Sequence, residues 1–336
     1  MLNLFKENHE ALGLTSGTSF LDASIKRTAN MLTQNTIEID VKESLRTEDT
    51  VYFEVRLGNK AGHKFPTGFP SRRAYLEFII SNNSDTLFHS GANDAEGLHH
   101  KEDNGFEHHY ELITNENEVQ IYEFVMGDDK GEVTTVLERA FEPLKDNRIP
   151  PIGFSQSHNN YDTVRVVGDA EYDADYTNGS GNEHIIYAIP GSILNGPVKI
   201  KAALHYETVP ESWLEDLFEH SDEDDDINRF KTMYNQLKNK SFTVAQDSMQ
   251  LNVTGIQTNQ NKSFHIYPNP SSGKIHFTPT NETYNYSVYS SSGNCIKNGL
   301  IKATENELEL GLPTGNYLFI VDSSDIRYVN KLVVKN

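Results

Sequence analysis

Short runs of alternating apolar and polar residues most constrain what this chain can fold into. Residues 37–41 and 51–57 alternate in this way, and a period of two places successive side chains on opposite faces of a half-buried strand. Polar turns, such as residues 81–85, separate the runs. Further strand-like runs lie at residues 74–80, 86–89, 119–126, 184–190 and 198–206. Many short strands joined by turns predict an antiparallel β-sandwich.

Length and charge indicate two domains. The chain has 336 residues and a net charge of −20, but residues 261–336 contain seven Lys and Arg against six Asp and Glu. The predicted fold is mainly β, with two Ig-like β-sandwich domains, a helical N-terminal segment and two helices before a linker. The predicted parts are helices within 1–35, a sandwich at 36–250 with helices at 211–237, a linker at 251–263 and a second sandwich at 264–336. Residues 141–154 contain three prolines and are predicted to form a long ordered loop.

Composition argues against several classes of protein. The acidic first domain should repel nucleic acid and anionic lipid, which require clustered Lys and Arg. No apolar run reaches the roughly 18–20 residues of a membrane-spanning helix. The single cysteine, Cys295, is expected to be a buried strand residue. Without CxxC or CxxCH, the chain has no sequence motif for a zinc–thiolate site or for covalently attached haem. The first residues also lack the features of a signal peptide.

Residues 62–73 combine a restricted backbone with concentrated positive charge. Two prolines and two glycines limit its conformations, and polar groups on a stiff connection between strands are often binding residues. The charged and titratable side chains are His63, Lys64, Arg72 and Arg73. The alternative is a rigid structural loop whose Phe side chains enter the core and whose Arg side chains pair with the acidic surface.

A second candidate site is the His-rich segment around residues 91–110. His99, His100, His108 and His109 lie among carboxylates that include Asp94, Glu96, Asp103 and Glu107. Imidazole and carboxylate together suit a divalent transition metal. Adjacent side chains on a strand point in opposite directions, so one member of each pair is the candidate ligand. We select His99 and His109 as metal ligands; the alternative is a polar surface loop.

Other chemistry has little support in the sequence. No Gly-x-Ser-x-Gly motif is present, and residues 179–181 lack the strand-to-helix setting of a nucleophile elbow. Asp173 and Asp175 are close enough in sequence to form a glycosidase-like pair, but no sequence feature raises the pKa of either carboxyl. We therefore predict no catalytic residue and favour a protein that is not an enzyme.

The C-terminal unit resembles the type A sorting domain of the type IX secretion system of Gram-negative bacteria. The resemblance covers about residues 264–336 and includes, in order, Tyr267, Pro268, Asn269, Pro270, Gly273, Pro313, Gly315 and Tyr317. It implies a seven-stranded, Ig-like sandwich that the type IX machinery recognises. It also implies that the protein is secreted or attached to the outer surface.

The first domain resembles the non-haem, β-rich region of multihaem c-type cytochromes. The similarity includes residues 62–68, 71–73, 119–123 and 145–154, within about residues 36–235. The family's CxxCH motifs are absent, so haem c would come from a region before residue 1 or from a neighbouring chain. Together with the missing signal peptide, this suggests an N-terminally truncated chain. With this resemblance, His63 is the candidate for a distal ligand to a haem carried upstream, and Arg72 and Arg73 are candidates to hold its propionates. The alternative for His63 is a hydrogen bond to a backbone carbonyl inside the loop, and the alternative for the arginines is pairing with the acidic surface.

The leading hypothesis is an exported, cell-surface or secreted accessory part of a multihaem c-type cytochrome that acts in electron transfer. Its expected partners are the type IX machinery and a haem-bearing domain or redox partner. The alternative is an adhesin or carbohydrate-binding sandwich with a platform of Tyr161, Tyr172 and Tyr176. A third hypothesis is a hydrolase that retains a metal ion in the His- and Asp-rich loop.

Overall fold

Helices flank a predominantly β-stranded protein. A computed structural model describes residues 1–47, 49–94, 97–101, 105–252, 264–277, 283–290, 293–303, 305–322 and 327–335. The α-helices in these residues are α1 (Leu2–Glu7), α2 (Thr18–Asn35), α3 (Tyr161–Val164), α4 (Glu211–Glu219) and α5 (Asp225–Asn235). The helices predicted near both ends of the first domain are therefore present. Within the described ranges, no helix is long and apolar enough to cross a membrane.

Residues 1–252, here called the first unit, contain most of the strands. They are β1 (Ile37–Arg46), β2 (Thr50–Asn59), β3 (Arg73–Ser81), β4 (Thr86–Ser90), β5 (Asn93–Asp94), β6 (Gly97–Leu98), β7 (Leu112–Ile113), β8 (Ile121–Tyr122), β9 (Phe124–Gly127), β10 (Glu142–Asp146), β11 (Asn182–Pro190), β12 (Pro197–Glu207) and β13 (Ser241–Asn252). The prediction of a mainly β fold is confirmed.

Two larger sheets form the framework of the first unit. One has the strand order β1-β2-β11-β7, and the other has the order β13-β12-β3-β4 with β8 also paired to β3. The β1–β2, β2–β11, β12–β13 and β3–β12 pairs are antiparallel, whereas β7 runs parallel to β11. This order brings distant segments of the sequence together on β11, beside which the candidate site lies.

Aromatic side chains join the inner faces of these two sheets. Phe78 on β3 stacks on Tyr187 of β11 with ring centroids 3.9 Å apart, and its centroid is 6.0 Å from that of Phe53 on β2. Phe88 on β4 meets Phe78 edge to face. All four rings belong to one buried cluster. The core therefore lies between the sheets, as in a sandwich.

Residues 264–335, here called the second unit, form a smaller pair of sheets. Their strands are β14 (Ile266–Tyr267), β15 (Lys274–Phe277), β16 (Tyr284–Ser290), β17 (Cys295–Ile301), β18 (Glu307–Glu309), β19 (Gly315–Asp322) and β20 (Arg327–Val334). One sheet has the order β14-β15-β18 and the other the order β17-β16-β19-β20. The described residues thus contain the seven strands that the sorting-domain resemblance implied.

Strand β19 is buried on both of its faces. Phe319 and Val321 pack into the second unit's own core. Leu318 and Ile320 point the other way, because successive strand side chains alternate. They join a separate apolar cluster that also contains Tyr52, Leu112 and Ile186 of the first unit and Tyr289 and Val329 of the second. The continuous apolar run on β19 therefore serves two cores and holds the units together.

Two predicted segments need correction, and most of a third lies outside the described residues. Residues 142–146 form β10 instead of a loop, and Pro143 fits because the β9–β10 ladder changes register between Pro143 and Lys145. The predicted strand at 119–126 divides into β8 and β9, since the backbone N–H of Glu123 donates to Asn147 Oδ1. Strand β13 continues to Asn252, and the rest of the predicted linker, residues 253–263, lies outside the described residues.

Replacing Phe78 with Ala tests the inter-sheet core. Phe78 has no exposed surface, so we expect the variant to lose about 3–5 kcal/mol of unfolding free energy. Phe141→Ala is the control, because Phe141 is 72% exposed and should change that free energy by less than about 0.5 kcal/mol. Denaturant unfolding followed by tyrosine fluorescence makes the comparison. Equal losses in the two variants would contradict the placement of the core.

Candidate functional site

The loop at residues 62–73 is anchored by its backbone. Phe65 and Ile149 exchange two backbone hydrogen bonds of 2.9 and 2.8 Å. Asn59 Nδ2 donates to the carbonyl oxygens of His63 and Ile149. Lys64 is buried and its Nζ lies 2.8 Å from Asp146 Oδ2. The loop is therefore held at a fixed position beside the first sandwich.

His63 is exposed on this anchored loop, and one of its ring nitrogens contacts the loop backbone. Its Nδ1 lies 2.9 Å from the carbonyl oxygen of Lys64. A carbonyl oxygen can only accept, so Nδ1 carries the proton and the neutral ring leaves Nε2 as a lone-pair donor. Metal-binding histidines commonly have this arrangement, with the second ring nitrogen donating to a backbone carbonyl. The ring of His63 is thus oriented by its own loop.

The two arginines of the loop differ in their surroundings. Arg73 is buried, and its Nε lies 2.6 Å from Glu207 Oε2 on β12. Arg72 is half-buried, and its Nη1 donates to the carbonyl oxygen of Thr67 at 2.8 Å. The ion pair of Arg73 corresponds to the structural alternative given above, whereas Arg72 keeps part of its guanidinium near the surface. Their predicted contacts with propionates stay predictions.

The structure separates the members of the His-rich segment. His99 is exposed and lies 3.0 Å from Asp94, and His108 is exposed and lies 2.9 Å from Asp169. His109 points inward, where its Nε2 lies 3.2 Å from Asp173 Oδ2. In the described residues, the groups placed within reach of a common metal ion include His109 but not His99. The metal roles predicted for these two residues stay predictions.

His109 lies at one side of a buried cluster of carboxyl groups. Glu111 precedes β7, and two further acids are on β11 and β19. Asp173 lies between two 3₁₀ turns, Asp169–Tyr172 and Ala174–Tyr176, and Asp175 lies in the second of them. All five are almost inaccessible to solvent. The members of this acid cluster are Glu111, Asp173, Asp175, Glu183 and Asp322. The first four belong to the first unit and Asp322 to the second, so the acid cluster spans the junction.

Arg327 enters the acid cluster from the second unit. Its side chain is 4% exposed, with Nη2 2.7 Å from Glu111 Oε2, Nη1 3.4 Å from Asp175 Oδ2 and Nε 3.1 Å from Asp322 Oδ1. Nη1 also donates to the carbonyl oxygen of His184. Arg327 and Asp322 are directly paired across β19 and β20, which places them on the same face as Ile320 and Val329. One guanidinium therefore connects carboxylates of both units.

Burial determines how most of these acids titrate. Burial, followed by the charge of Asp175, raises the pKa of Asp173 to about 7. Burial likewise raises the pKa of Asp322 to about 7, although Arg327 opposes the change. The pKa values of Glu111 and Glu183 are also raised well above the ordinary range by burial and by Asp173. Much of the negative charge in the acid cluster is therefore removed by protonation near neutral pH.

Asp175 and the two neighbouring histidines behave differently. Burial alone would raise the pKa of Asp175, but His184 and Arg327 together lower it. Burial would lower the pKa of His184, yet Asp175 Oδ2, 2.9 Å from its Nδ1, raises it. Burial lowers the pKa of His109 to about 4, so that ring is neutral at physiological pH. The ionised groups are therefore Asp175, His184 and Arg327, and the neighbouring acids are largely protonated.

A cavity of about 530 Å³ connects the acid cluster with the surface between the units. Its lining includes His109, Glu111 and Asp173 from the first unit and Tyr289 and Cys295 from the second. Cys295 is exposed, which corrects the prediction of a buried residue: it begins β17, an edge strand whose residues are mostly exposed. Partial desolvation and the charge of Glu111 raise the pKa of this thiol to about 11, so it stays protonated.

The residues predicted to carry the sorting signal make structural contacts in the second unit. Asn269 Nδ2 donates to the carbonyl oxygen of Lys331, and its Oδ1 accepts the backbone N–H of Val333. This amide therefore ties the turn containing Pro268 and Pro270 to β20. At Gly273, φ is +97°, which favours glycine. Tyr267 is exposed and stacks on His276.

A second turn of the sorting motif lies before β19. The Tyr317 hydroxyl donates to the carbonyl oxygen of Pro313 at 3.0 Å. A Cβ at Gly315 would lie 3.3 Å from that hydroxyl, so glycine gives the tyrosine room.

The tyrosine platform of the carbohydrate-binding alternative is not assembled: Tyr172 is exposed, but Tyr176 is fully buried and donates its hydroxyl to the carbonyl oxygen of Asn147.

Sequence reasoning found His109 but missed most of the acid cluster. The sequence placed Asp173 and Asp175 close together but did not indicate that the pKa of Asp173 is raised and that of Asp175 lowered. It also did not point to Glu111, Glu183 or Arg327. The available signal was a charged residue, Asp322, at the end of the apolar run on β19. A charge on an otherwise apolar strand face indicates a buried partner, but the identity of that partner depends on the tertiary fold.

A family comparison identifies the second unit. Residues 265–335 match the family described as "Secretion system C-terminal sorting domain". This unit is therefore a type IX sorting domain, and the protein is secreted with attachment at the cell surface. A comparison with curated proteins gives no match.

Solved structures show only distant similarity. A penta-haem cytochrome c552 from Thermochromatium tepidum is 17% identical with a TM-score of 0.39, and the match covers 66% of this chain and 41% of that chain. HBP35 of Porphyromonas gingivalis is 11% identical, with a TM-score of 0.22 and coverage of 95% and 70%. The BSP domain of a biofilm associated protein is 7% identical, with a TM-score of 0.20 and coverage of 94% and 55%. This chain thus spans about two fifths of the cytochrome, and all three TM-scores are too low to support a functional argument.

Replacing Arg327 with Met tests the junction. Removing one partner of a buried ion pair leaves buried charge without compensation, so we expect a loss of about 3–5 kcal/mol of unfolding free energy. Lys331→Met, also on β20, is the control, because Lys331 lies 3.5 Å from Asp49 in an exposed pair and should contribute less than about 1 kcal/mol. Chemical denaturation gives both values. Similar losses would show that Arg327 makes no special contribution.

Asp322 gives the junction a pH dependence of known sign. Its folded pKa of about 7 lies above the ordinary aspartate pKa of 3.8, so the folded protein holds the proton more tightly. This contribution to stability is complete below about pH 4 and is lost as the pH rises through about 7. Asp322→Asn should therefore flatten the fall in unfolding free energy over that range by about 1–3 kcal/mol. Thermal unfolding at a series of pH values measures the slope, and the exposed control Asp225→Asn should keep the wild-type slope. A steeper fall in Asp322→Asn would reverse the assignment.

Proposed function

We propose that this secreted, surface-attached protein is the accessory C-terminal part of a multihaem c-type electron-transfer system. In this proposal, the loop at residues 62–73 contacts a haem-bearing partner and His63 supplies an axial ligand. The observation that carries the proposal is that His63 is an exposed residue whose ring is fixed through Nδ1, which leaves the lone pair on Nε2. The sorting domain supports the location, because it brings the first unit to the cell exterior.

The anchoring of the loop supports this role of His63. An axial ligand must keep its distance and angle to the iron, so it benefits from a backbone that does not rearrange. Before the histidine, the Ala61 N–H donates to Asn59 Oδ1; at and after it, Asn59 Nδ2 donates to the His63 carbonyl and Phe65 pairs with Ile149. The hydrogen bond from Nδ1 to the Lys64 carbonyl also increases the basicity of the ring. His63 is thereby suited to ligate a metal presented from outside.

The remaining side chains of the loop suit different tasks. Arg72 is half-buried and near the surface, so its guanidinium is placed to pair with a haem propionate. Arg73 is engaged by Glu207 inside the fold and supports the start of β3 instead. The chain has no CxxCH motif, so the haem would be attached to the partner. When bound, haem supplies one-electron chemistry at a potential that depends on its axial ligands.

Replacing His63 with Ala in the full chain tests the proposal. The probe is a haem c peptide that retains one proximal His and has an open distal position. Addition of wild-type protein should convert its absorption spectrum from the high-spin to the low-spin, two-histidine form. We expect His63→Ala to weaken this titration by about tenfold or more, since the loss of a metal ligand costs at least about 1.4 kcal/mol.

His220→Ala is a matched control for that titration. His220 is exposed, and its Nδ1 lies 3.2 Å from Glu223 Oε2, so its ring is engaged through Nδ1 as in His63. It lies at the end of α4 and outside the anchored loop. The control should bind the haem peptide like the wild type. Equal weakening in the two variants would mean that any exposed imidazole serves, and the proposed role of His63 would be rejected.

A further inference from the structure

Three carboxylates of the first unit converge at the inner end of the junction cavity. Glu111, Asp173 and Asp175 each place one oxygen within 4.8 Å of the oxygens of the other two. They are held by separate elements: Glu111 leads into β7, Asp173 caps the 3₁₀ turn Ala174–Tyr176 before β11, and Asp175 lies within that turn. Asp173 Oδ1 also accepts the backbone N–H of Asp175 at 2.8 Å, which fixes their relative orientation.

Buried oxygens in and beside this group have no hydrogen-bond partner in the described structure. In the described residues the acid cluster has three such oxygens, Glu111 Oε1, Glu183 Oε2 and Asp322 Oδ2. Glu111 is 4% exposed and Glu183 is inaccessible, so bulk solvent hydrates neither carboxyl group as it would at the surface. A buried carboxylate oxygen without a partner carries a large desolvation penalty, which either a proton on the carboxyl group or a cation beside it can offset. The other oxygen of Glu183 lies 4.0 Å from His109 Nε2, which places this side chain beside the three carboxylates.

We propose that Glu111, Asp173 and Asp175 bind one hard divalent cation of the calcium type. Calcium takes six to eight oxygen ligands at about 2.3–2.6 Å, so ligand oxygens on opposite sides of the ion lie up to about 5 Å apart. The observed separations fit that size. The cavity reaches Glu111 and Asp173 and has a volume of about 530 Å³, which gives the ion a route and leaves room for coordinating waters.

The hydrogen bonds of His109 favour an oxygen-only site over a zinc-type site. His109 Nδ1 accepts from Gln120 Nε2 at 2.7 Å and from Asn147 Nδ2 at 3.2 Å. Neither amide can be reversed without loss, because Gln120 Oε1 accepts from the backbone of Tyr110 and Asn147 Oδ1 from that of Glu123. The proton of the neutral ring is therefore on Nε2, from which it donates to Asp173 Oδ2.

His109 thus orients a ligand carboxylate and does not coordinate the ion itself. Carboxylate ligands are commonly held by such outer hydrogen bonds, and their loss weakens metal binding. This role differs from the direct ligation that the sequence suggested for His109. It also accounts for the burial of a neutral imidazole beside several acids, since the ring supplies the N–H that Asp173 needs.

Arg327 and the proposed ion use different oxygens. Arg327 pairs with Glu111 Oε2 and with Asp175 Oδ2, which leaves Glu111 Oε1 and Asp175 Oδ1 for the ion. Asp175 Oδ1 has one long contact, 3.4 Å from Asn178 Nδ2. Five buried carboxyl groups lie beside two cationic side chains, Arg327 and His184, so the acid cluster has enough carboxylates for the guanidinium and for a divalent ion that displaces the protons of its ligands on binding. The ion would hold the three carboxylates in the arrangement that receives Arg327.

Calcium titration of the full chain tests the proposal after treatment with a chelator. Isothermal calorimetry should show one site per chain with a Kd on the order of 10⁻⁴–10⁻³ M, and calcium should raise the thermal midpoint. Asp173→Asn and Glu111→Gln preserve shape but remove a charged ligand, so each should weaken binding by about tenfold or more. Asp225→Asn, in the exposed acidic run 222–226, is the control for diffuse surface binding and should bind like the wild type.

A measurement on the wild type covers the case in which a variant fails to fold. Tb³⁺ replaces calcium at oxygen sites, and tyrosine excitation should sensitise its emission, because Tyr289 lines the same cavity. Calcium should compete for this signal. Absence of both a calorimetric site and calcium-sensitive Tb³⁺ emission would overturn the proposal. So would equal weakening in Asp225→Asn, or a Zn²⁺ site that depends on His109 in a protein that does not bind calcium.

Discussion

The ion pairs of Arg327 are the interaction on which the arrangement of this protein depends. Burial of one isolated carboxylate costs several kcal/mol, and five carboxyl groups meet where the two units join. Arg327 contacts three of them, on both sides of the junction. Protonation removes part of the remaining charge, as the raised pKa values of Asp173 and Asp322 indicate. The stability of the junction therefore depends on cations and on pH as well as on apolar contact.

The apolar contact explains why the guanidinium is buried at all. Leu318 and Ile320 face the first unit while Phe319 and Val321 face the second unit's core. Asp322 is the next residue in the junction-facing series, and Arg327 is its partner on β20. The ion pair thus lies at the end of an apolar surface that excludes water from it. Because low local polarity strengthens an ion pair and penalises an unpaired charge, the two parts of the junction support each other.

Local patterns were sufficient to predict the type of fold but not the acid cluster. Alternating runs such as residues 37–41 locate strands that have one buried face, and the sorting motif is contiguous enough to be recognised in sequence. The run at residues 51–57 also forms a strand, but it is buried on both faces, because Tyr52 packs against the second unit while Phe53 enters the core between the sheets. Glu111, Asp173 and Arg327 come from segments more than 60 residues apart and meet only after the sheets have formed. The setting of His63 was only partly predictable: the sequence indicated the stiff loop but did not identify the carbonyl that Nδ1 contacts.

The division of ligands between the units bears on what happens if the sorting domain is separated from its cargo. Separation would expose Tyr52, Leu112 and Ile186 and would remove the guanidinium from Glu111 and Asp175. The acids left in the first unit would then need protons or another cation. The three proposed ion ligands all belong to the first unit, so an ion bound there would remain after separation. Arg327 would thus stabilise the acid cluster while the units are joined, and the ion would stabilise it in either state.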